Sequence, residues 1–143
     1  TNAGSDPGVF CAVHAGTFDK LPDFNKVPSE RTFETSTITI EDDPRRENVA
    51  RRFRGFVLVP ADECYAFDLT ADDGAQIWID GKLIVDHDGL HGPTTKRGYA
   101  PLAAGPHAID VRWFNKSGAA ELKVEWARLG GTPVELSRAN LRH

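Results

Sequence analysis

The chain has 143 residues, with 17 Lys and Arg against 21 Asp and Glu and a formal charge of −4. That length suits one domain able to bury a sizeable core, and without a basic excess there is no electrostatic support for binding a nucleic-acid backbone. No apolar run approaches the ~20 residues of a membrane helix, while 13 Gly and 9 Pro with no Met favour many turns and short strands over long helices.

In chain order, the small and polar segment Thr1 to Gly8 reads as an interdomain linker, so the chain is expected to be a piece of a larger protein with one domain over residues 9–143. Strands are expected at Val9 to Val13, Thr35 to Ile40 and Phe53 to Val59. Between the second and third, Asp43 followed by Pro44 is a plausible N-cap and first position for at most a short helical turn near 43–50. Tyr65, Phe67 and Leu69 then alternate with Ala66, Asp68 and Thr70, as in a strand with one face on a core. Ile77 to Ile79 and Leu83 to Val85 flank Asp80-Gly81, the strongest hairpin signal in the chain, because Asp-Gly accepts the positive φ angles of a type I′ turn. Gly98 to Leu102, the alternation through Ile109, Val111 and Trp113, and that through Leu122, Val124 and Trp126 complete the set. Two long loops, about Gly16 to Glu34 and Asp86 to Arg97, are the places where a rigid β scaffold would carry function. The expected fold is all-β: a single antiparallel β-sandwich or jelly-roll-like barrel.

The chemistry centres on Asp72-Asp73-Gly74. Adjacent carboxylates repel unless something positive lies between them, and a hard cation such as calcium accepts oxygen ligands on irregular loops; the plain alternative is a polar turn that binds nothing. Asp86-His87-Asp88-Gly89 begins like an EF-hand loop but lacks the later ligands, Arg97 standing where the closing Glu belongs. His87 and His91 are four apart in a Gly-bounded loop, which is no helical zinc face; they suit loop structure or hydrogen bonds to a ligand. Trp113 and Trp126 read as core, and Trp78, of opposite parity to Ile77 and Ile79, packs on the other face. Arg45, Arg46, Arg51, Arg52 and Arg54, interleaved with Glu41, Asp42, Asp43 and Glu47, read as a solvated, ion-paired face. Cys11 and Cys64 lack metal spacing and form either one disulfide or two buried thiols. No nucleophile elbow, phosphate loop or Cys-x-x-Cys supports catalysis.

The stretch from Tyr65 to Gly92, with Leu69-Thr70-Ala71-Asp72-Asp73-Gly74 and Ile79-Asp80-Gly81-Lys82 at its centre, closely resembles the signature of the protective-antigen-type ("PA fourteen") domain, a β-sandwich module of adhesins and glycosidases. Leu102 to His107 followed by Val111-Arg112-Trp113-Phe114-Asn115 looks like its next segment, and Phe18 to Phe24 resembles the opening of its bacterial branch. The likeness runs from about Gly8 to Trp126. It implies a calcium-dependent, non-catalytic carbohydrate-binding module. In the fungal members two neighbouring Asp residues joined by a cis peptide hold the ion, and Asp72 and Asp73 match them. Neighbouring side chains on an extended strand point to opposite faces, and a cis bond brings both to one side. Asn115 is then the expected further ligand, while Asp86, His87, Asp88 and His91 line the sugar site beside Asp72 and Asp73. The resemblance further implies a secreted, periplasmic or cell-surface setting, a monomeric module beside other domains of its parent protein, and glycan as the partner. In that setting the Cys11–Cys64 disulfide becomes the favoured pairing. The alternatives are a structural or protein-interaction sandwich without sugar binding and, behind it, a small hydrolase.

Overall fold

The computed structural model describes residues 4–143. Eleven strands make two antiparallel sheets packed face to face. They are β1 (Val9–Ala15), β2 (Arg31–Thr35), β3 (Val49–Val59), β4 (Glu63–Asp72), β5 (Gly74–Ile79), β6 (Lys82–His87), β7 (Thr94–Leu102), β8 (Gly105–Asn115), β9 (Glu121–Arg128), β10 (Val134–Glu135) and β11 (Leu141–Arg142). The larger sheet has the order β2-β1-β3-β8-β5-β6, with β11 also on β3, and the smaller has β10-β9-β4-β7. The alternating positions fall inward as the sequence pattern requires. Tyr65, Phe67 and Leu69 of the smaller sheet meet Phe53, Ile77, Val111 and Trp113 of the larger in one continuous core. Trp113 and Trp126 both lie in it.

The Asp80-Gly81 turn has φ of 50° and 77° at its two residues, the positive pair expected of type I′. Other expectations need correction. The segment 36–40 is not a strand; β2 lies earlier and pairs Thr35 with Val9 and Arg31 with Val13. No helical turn forms near 43–50: Asp43 caps a bend by accepting the Arg45 N–H at 2.8 Å, and Val49 already begins β3. The Arg face is only partly solvated. Arg51 is fully buried, donating to Asp42 at 2.9 Å and to the Thr39 carbonyl at 3.1 Å. The C-terminal β10, β11 and the 3-10 turn Arg138–Asn140 were not expected. Of the anticipated linker, residues 1–3 lie outside the described residues, while Gly8 donates to the Leu141 carbonyl and Asp6 accepts from His143, both at 2.9 Å.

Cys11 and Cys64 are free thiols, contrary to the disulfide. Cys11 is in the inter-sheet core from the larger sheet. Cys64 precedes Tyr65 on β4, and since Tyr65 faces the core, strand alternation turns Cys64 outward. Burial pushes the Cys11 thiol up to about 12, so it is inert at neutral pH.

One glycine sets the spacing of the sandwich. At Gly98 on β7 a Cβ would sit 2.1 Å from the Ile84 carbonyl oxygen and 2.9 Å from Val85 Cγ2, so the backbones of β6 and β7 touch there. Gly98→Ala forces these edges apart; in urea denaturation it should cost about 1–3 kcal/mol, as overpacking does, and an unchanged midpoint would contradict the contact.

Candidate functional site

Asp72 ends β4 and Gly74 begins β5, so the peptide joining Asp72 to Asp73 sits where the chain passes from the smaller sheet to the larger, and it is cis. Two main-chain contacts fix this crossing. The Trp113 indole Nε1–H donates to the Asp72 carbonyl at 3.0 Å from within the core, and the Asp73 N–H donates to the Phe114 carbonyl at 3.1 Å. Gly74 leaves room for the neighbouring loop: a Cβ there would meet Gly89 N at 2.7 Å and Gly89 O at 2.8 Å. Loop 88–93 therefore lies directly over the turn out of the Asp pair.

Asp72 and Asp73 are both more than nine-tenths buried as residues. Asp73 Oδ2 accepts the Lys116 N–H at 2.9 Å. Burial, the neighbouring Asp73 carboxylate and a hydrogen bond with it hold the Asp72 carboxyl above the usual carboxylate range, against a small opposing pull from His91. Asn115, the last residue of β8, stands between the two residues that bond Asp73, Phe114 and Lys116. Its Nδ2 donates to the carbonyls of Arg46 and of Gly118, the latter at 3.3 Å. Two carbonyl acceptors fix which end of the amide is nitrogen, and the other end, Oδ1, is buried with no partner. The Asn115-Lys116-Ser117 sequon is thus closed to modification, its Asn side chain fully enclosed. The Asp72 and Asp73 carboxyls thus lie together, and Asn115, with its orphaned amide oxygen, sits between the residues that bond Asp73; all are oxygen donors, the kind a hard cation takes. Among the described residues no group of three or more His, Cys, Asp or Glu gathers as a metal site; here the acidic donors number two and the third is an amide.

The other expected site residues divide. Asp88 Oδ1 accepts from Leu21 N at 2.8 Å and Gly89 N at 2.7 Å, tying loop 88–93 to the long loop 16–30. His87 and His91 stack with centroids 4.1 Å apart, and the His91 ring nitrogens face the carbonyls of His87 and Gly92, each at 2.9 Å. These rings brace the loop, and burial lowers the His87 pKa. Asp86 belongs elsewhere: it accepts from Gln76 Nε2 at 2.9 Å, on the outer face of the larger sheet.

Parts of this end were not visible in the sequence. Phe18, Leu21 and Phe24 pack on Phe114 and Ala50, clamping loop 16–30 onto the sheet. Lys116 Nζ reaches Asp19 at 2.7 Å, and Glu47 accepts the Gly118 N–H at 2.8 Å. Positive φ at Asn48, 54°, turns the chain beneath this corner. The run Phe18 to Phe24 was the one available signal, two aromatics and Leu21 among polar neighbours.

Among solved structures the chain resembles the PA14 sugar-binding domain from an RTX adhesin, at 18% identity over 97% of this chain and 99% of that one, with a TM-score of 0.81. The PA14 domain of the MpAFP antifreeze protein matches at 20% identity over 99% and 96%, with a TM-score of 0.83. The epithelial adhesin 6 A domain from Candida glabrata, solved with Galb1-3GlcNAc, matches at 9% identity over 99% and 88%, with a TM-score of 0.70. No curated protein matches the chain. The PA14 domain family model matches residues 5–138, nearly the whole of the sandwich. By that match, the chain belongs to the PA14 domain family.

Proposed function

We propose that this domain is a calcium-dependent carbohydrate-binding module. The observation that carries the reading is the buried, partnerless Asn115 Oδ1 on the strand end that bonds Asp73, next to the buried Asp72-Asp73 pair. Asp72, Asp73 and Asn115 would hold the ion, which when bound supplies open coordination positions for sugar hydroxyls. The same carboxylates accept hydrogen bonds from those hydroxyls, and the loop carrying His87, Asp88 and His91 sets the rim that selects among sugars. Asp86, paired with Gln76 on the outer face of the larger sheet, is not counted in this rim.

The role is non-catalytic: a monomeric module, spanning residues 9–143, that holds the rest of a secreted, periplasmic or cell-surface protein on glycans and raises local substrate or contact concentration. Calcium in such compartments is millimolar, enough to fill even a weak site. Family membership and the likeness to the PA14 sugar-binding domain of the RTX adhesin support this reading.

A glycan array with calcium and with chelator, on wild type and Asp73→Asn, tests it. Wild type should bind a defined glycan set only with calcium, and Asp73→Asn should bind at least tenfold less. Binding indifferent to both changes would place the sugar elsewhere. Binding to no glycan would favour a structural or interaction role.

A further inference from the structure

We propose that the outer face of the larger sheet carries a second ligand site, separate from the Asp72-Asp73 end, for a saccharide bearing a carboxylate. The register of four central strands builds it. Phe10, Arg54, Asp110 and Trp78 stand in one cross-strand row over β1, β3, β8 and β5, and Ala12, Arg52, Arg112 and Gln76 in the next. Phe10, Arg54, Asp110 and Trp78 of the first row and Arg52 and Arg112 of the second line a depression of about 650 Å³. It opens to solvent beside the part of the sheet that loop 16–30 covers.

Charge decides the ligand's sign. Arg52, Arg54 and Arg112 line the depression against one carboxylate, Asp110, in a chain whose formal charge is −4. Asp110 takes Arg52 in a two-pronged bond, with Nε and Nη2 at 3.1 and 2.7 Å from Oδ2, and Arg112 Nη2 at 3.1 Å. That carboxylate is fully occupied. Arg54 is exposed and has no ion pair among the described residues, so its planar fork is free for a carboxylate. At the rim, the His143 ring is nine-tenths buried, yet its Nδ1 has no hydrogen-bond partner.

Aromatic surface decides the ligand's class. Trp78 is held rigid by its Nε1–H on Gln76 Oε1 at 3.1 Å and by the Arg112 guanidinium 4.9 Å from its ring centroid. Phe10 is half exposed at the other end of the row. Because β3 and β8 are central strands, their backbone groups are spent within the sheet, so a peptide cannot add here as a strand. The ligand is read by side chains alone, through guanidinium forks and ring faces fixed by the sheet. A sugar ring with a carboxylate presents both matching surfaces.

The test is equilibrium binding of tri-galacturonic acid in chelator, which removes any contribution from a cation at Asp72-Asp73, followed by Trp fluorescence. Trp113 is sealed in the core, but Trp126 also lines a depression on the smaller sheet, so loss of the spectral change in Trp78→Phe is what assigns it to Trp78. Wild type and Asp73→Asn should bind equally, Arg54→Gln about tenfold more weakly, and the carboxyl-reduced trisaccharide not at all. Arg54 is exposed and unpaired, so its loss should leave the denaturation midpoint unchanged. The proposal fails if binding is absent, if Arg54→Gln binds like wild type, if Asp73→Asn weakens it as much, or if a glutamate peptide of equal charge binds as tightly. The last result would assign the face to an acidic protein partner instead.

Discussion

With calcium a hundredfold above its Kd, the domain should unfold roughly 8 °C higher than in chelator, and Asp72→Asn should erase the difference. Saturation at that ratio adds about 2.7 kcal/mol, and a domain of this size shifts about 3 °C per kcal/mol. The metal-free state carries the opposite sign. The Asp72 carboxyl is raised in the folded chain by burial and by Asp73. Its contribution to stability is therefore present below the unfolded-state value and lost as pH rises through the raised one. At neutral pH the two carboxylates work against folding unless a cation sits between them. In chelator, then, Asp72→Asn should match or exceed wild type, because an amide can donate to Asp73 and removes one charge. Scanning calorimetry in calcium and in EDTA, at pH 5 and pH 8, reads all of this. A variant that keeps the full calcium shift would remove Asp72 from the ligand set.

The larger loss should come from Trp113. It is almost fully buried, and its indole donates to the Asp72 carbonyl at 3.0 Å. Trp113→Ala leaves a cavity worth about 3–5 kcal/mol and a buried carbonyl without its donor, about 1–3 kcal/mol more where water cannot reach it. Against a total stability of about 5–15 kcal/mol, much of the population would be unfolded. Trp113→Phe separates the effects by keeping most of the packing and losing the N–H. It should lower the urea midpoint moderately and calcium affinity with it, since Asp72 loses its anchor. Leu141→Ala is the control: it is fully buried and pairs with Val57, at the end of β3 opposite Val49 and Asn115. It should cost about 2–5 kcal/mol while leaving calcium affinity unchanged in the folded fraction. Equal losses of affinity in both variants would reduce Trp113 to ordinary packing.

What the sequence disclosed follows from local rules. Period-two alternation at Tyr65 to Leu69 and Ile109 to Trp113 placed those residues on the core face, and Asp80-Gly81 placed the hairpin, because both signals act within a few residues. Asp72 and Asp73 were legible through their flanking signature, and Asn115 through its position after Trp113-Phe114. The failures were long-range. Thr35 to Ile40 alternates like a strand, yet the β1 edge is taken by residues 31–35, a choice made by partners and not by composition. Asp86 sits one residue from His87 but on the opposite face, so proximity in sequence misled. The Cys pair failed for the same reason: strand parity, not spacing, decided which way Cys64 points. The row Phe10, Arg54, Asp110 and Trp78 comes from four distant segments, and only sheet register makes it one surface.

The backbone contact at Gly98 also governs how copies of this domain can meet. β6 and β7 are the end strands of their two sheets, and by touching they shield one side of the sandwich from strand addition. Elsewhere β10 and β11 have two residues each, too few to template a ladder, which leaves the five residues of β2. Arg31 and Glu34 interrupt that edge with charge, the usual guard against edge-to-edge growth. A chain of such modules strung along one polypeptide can therefore crowd together without zipping into a shared sheet.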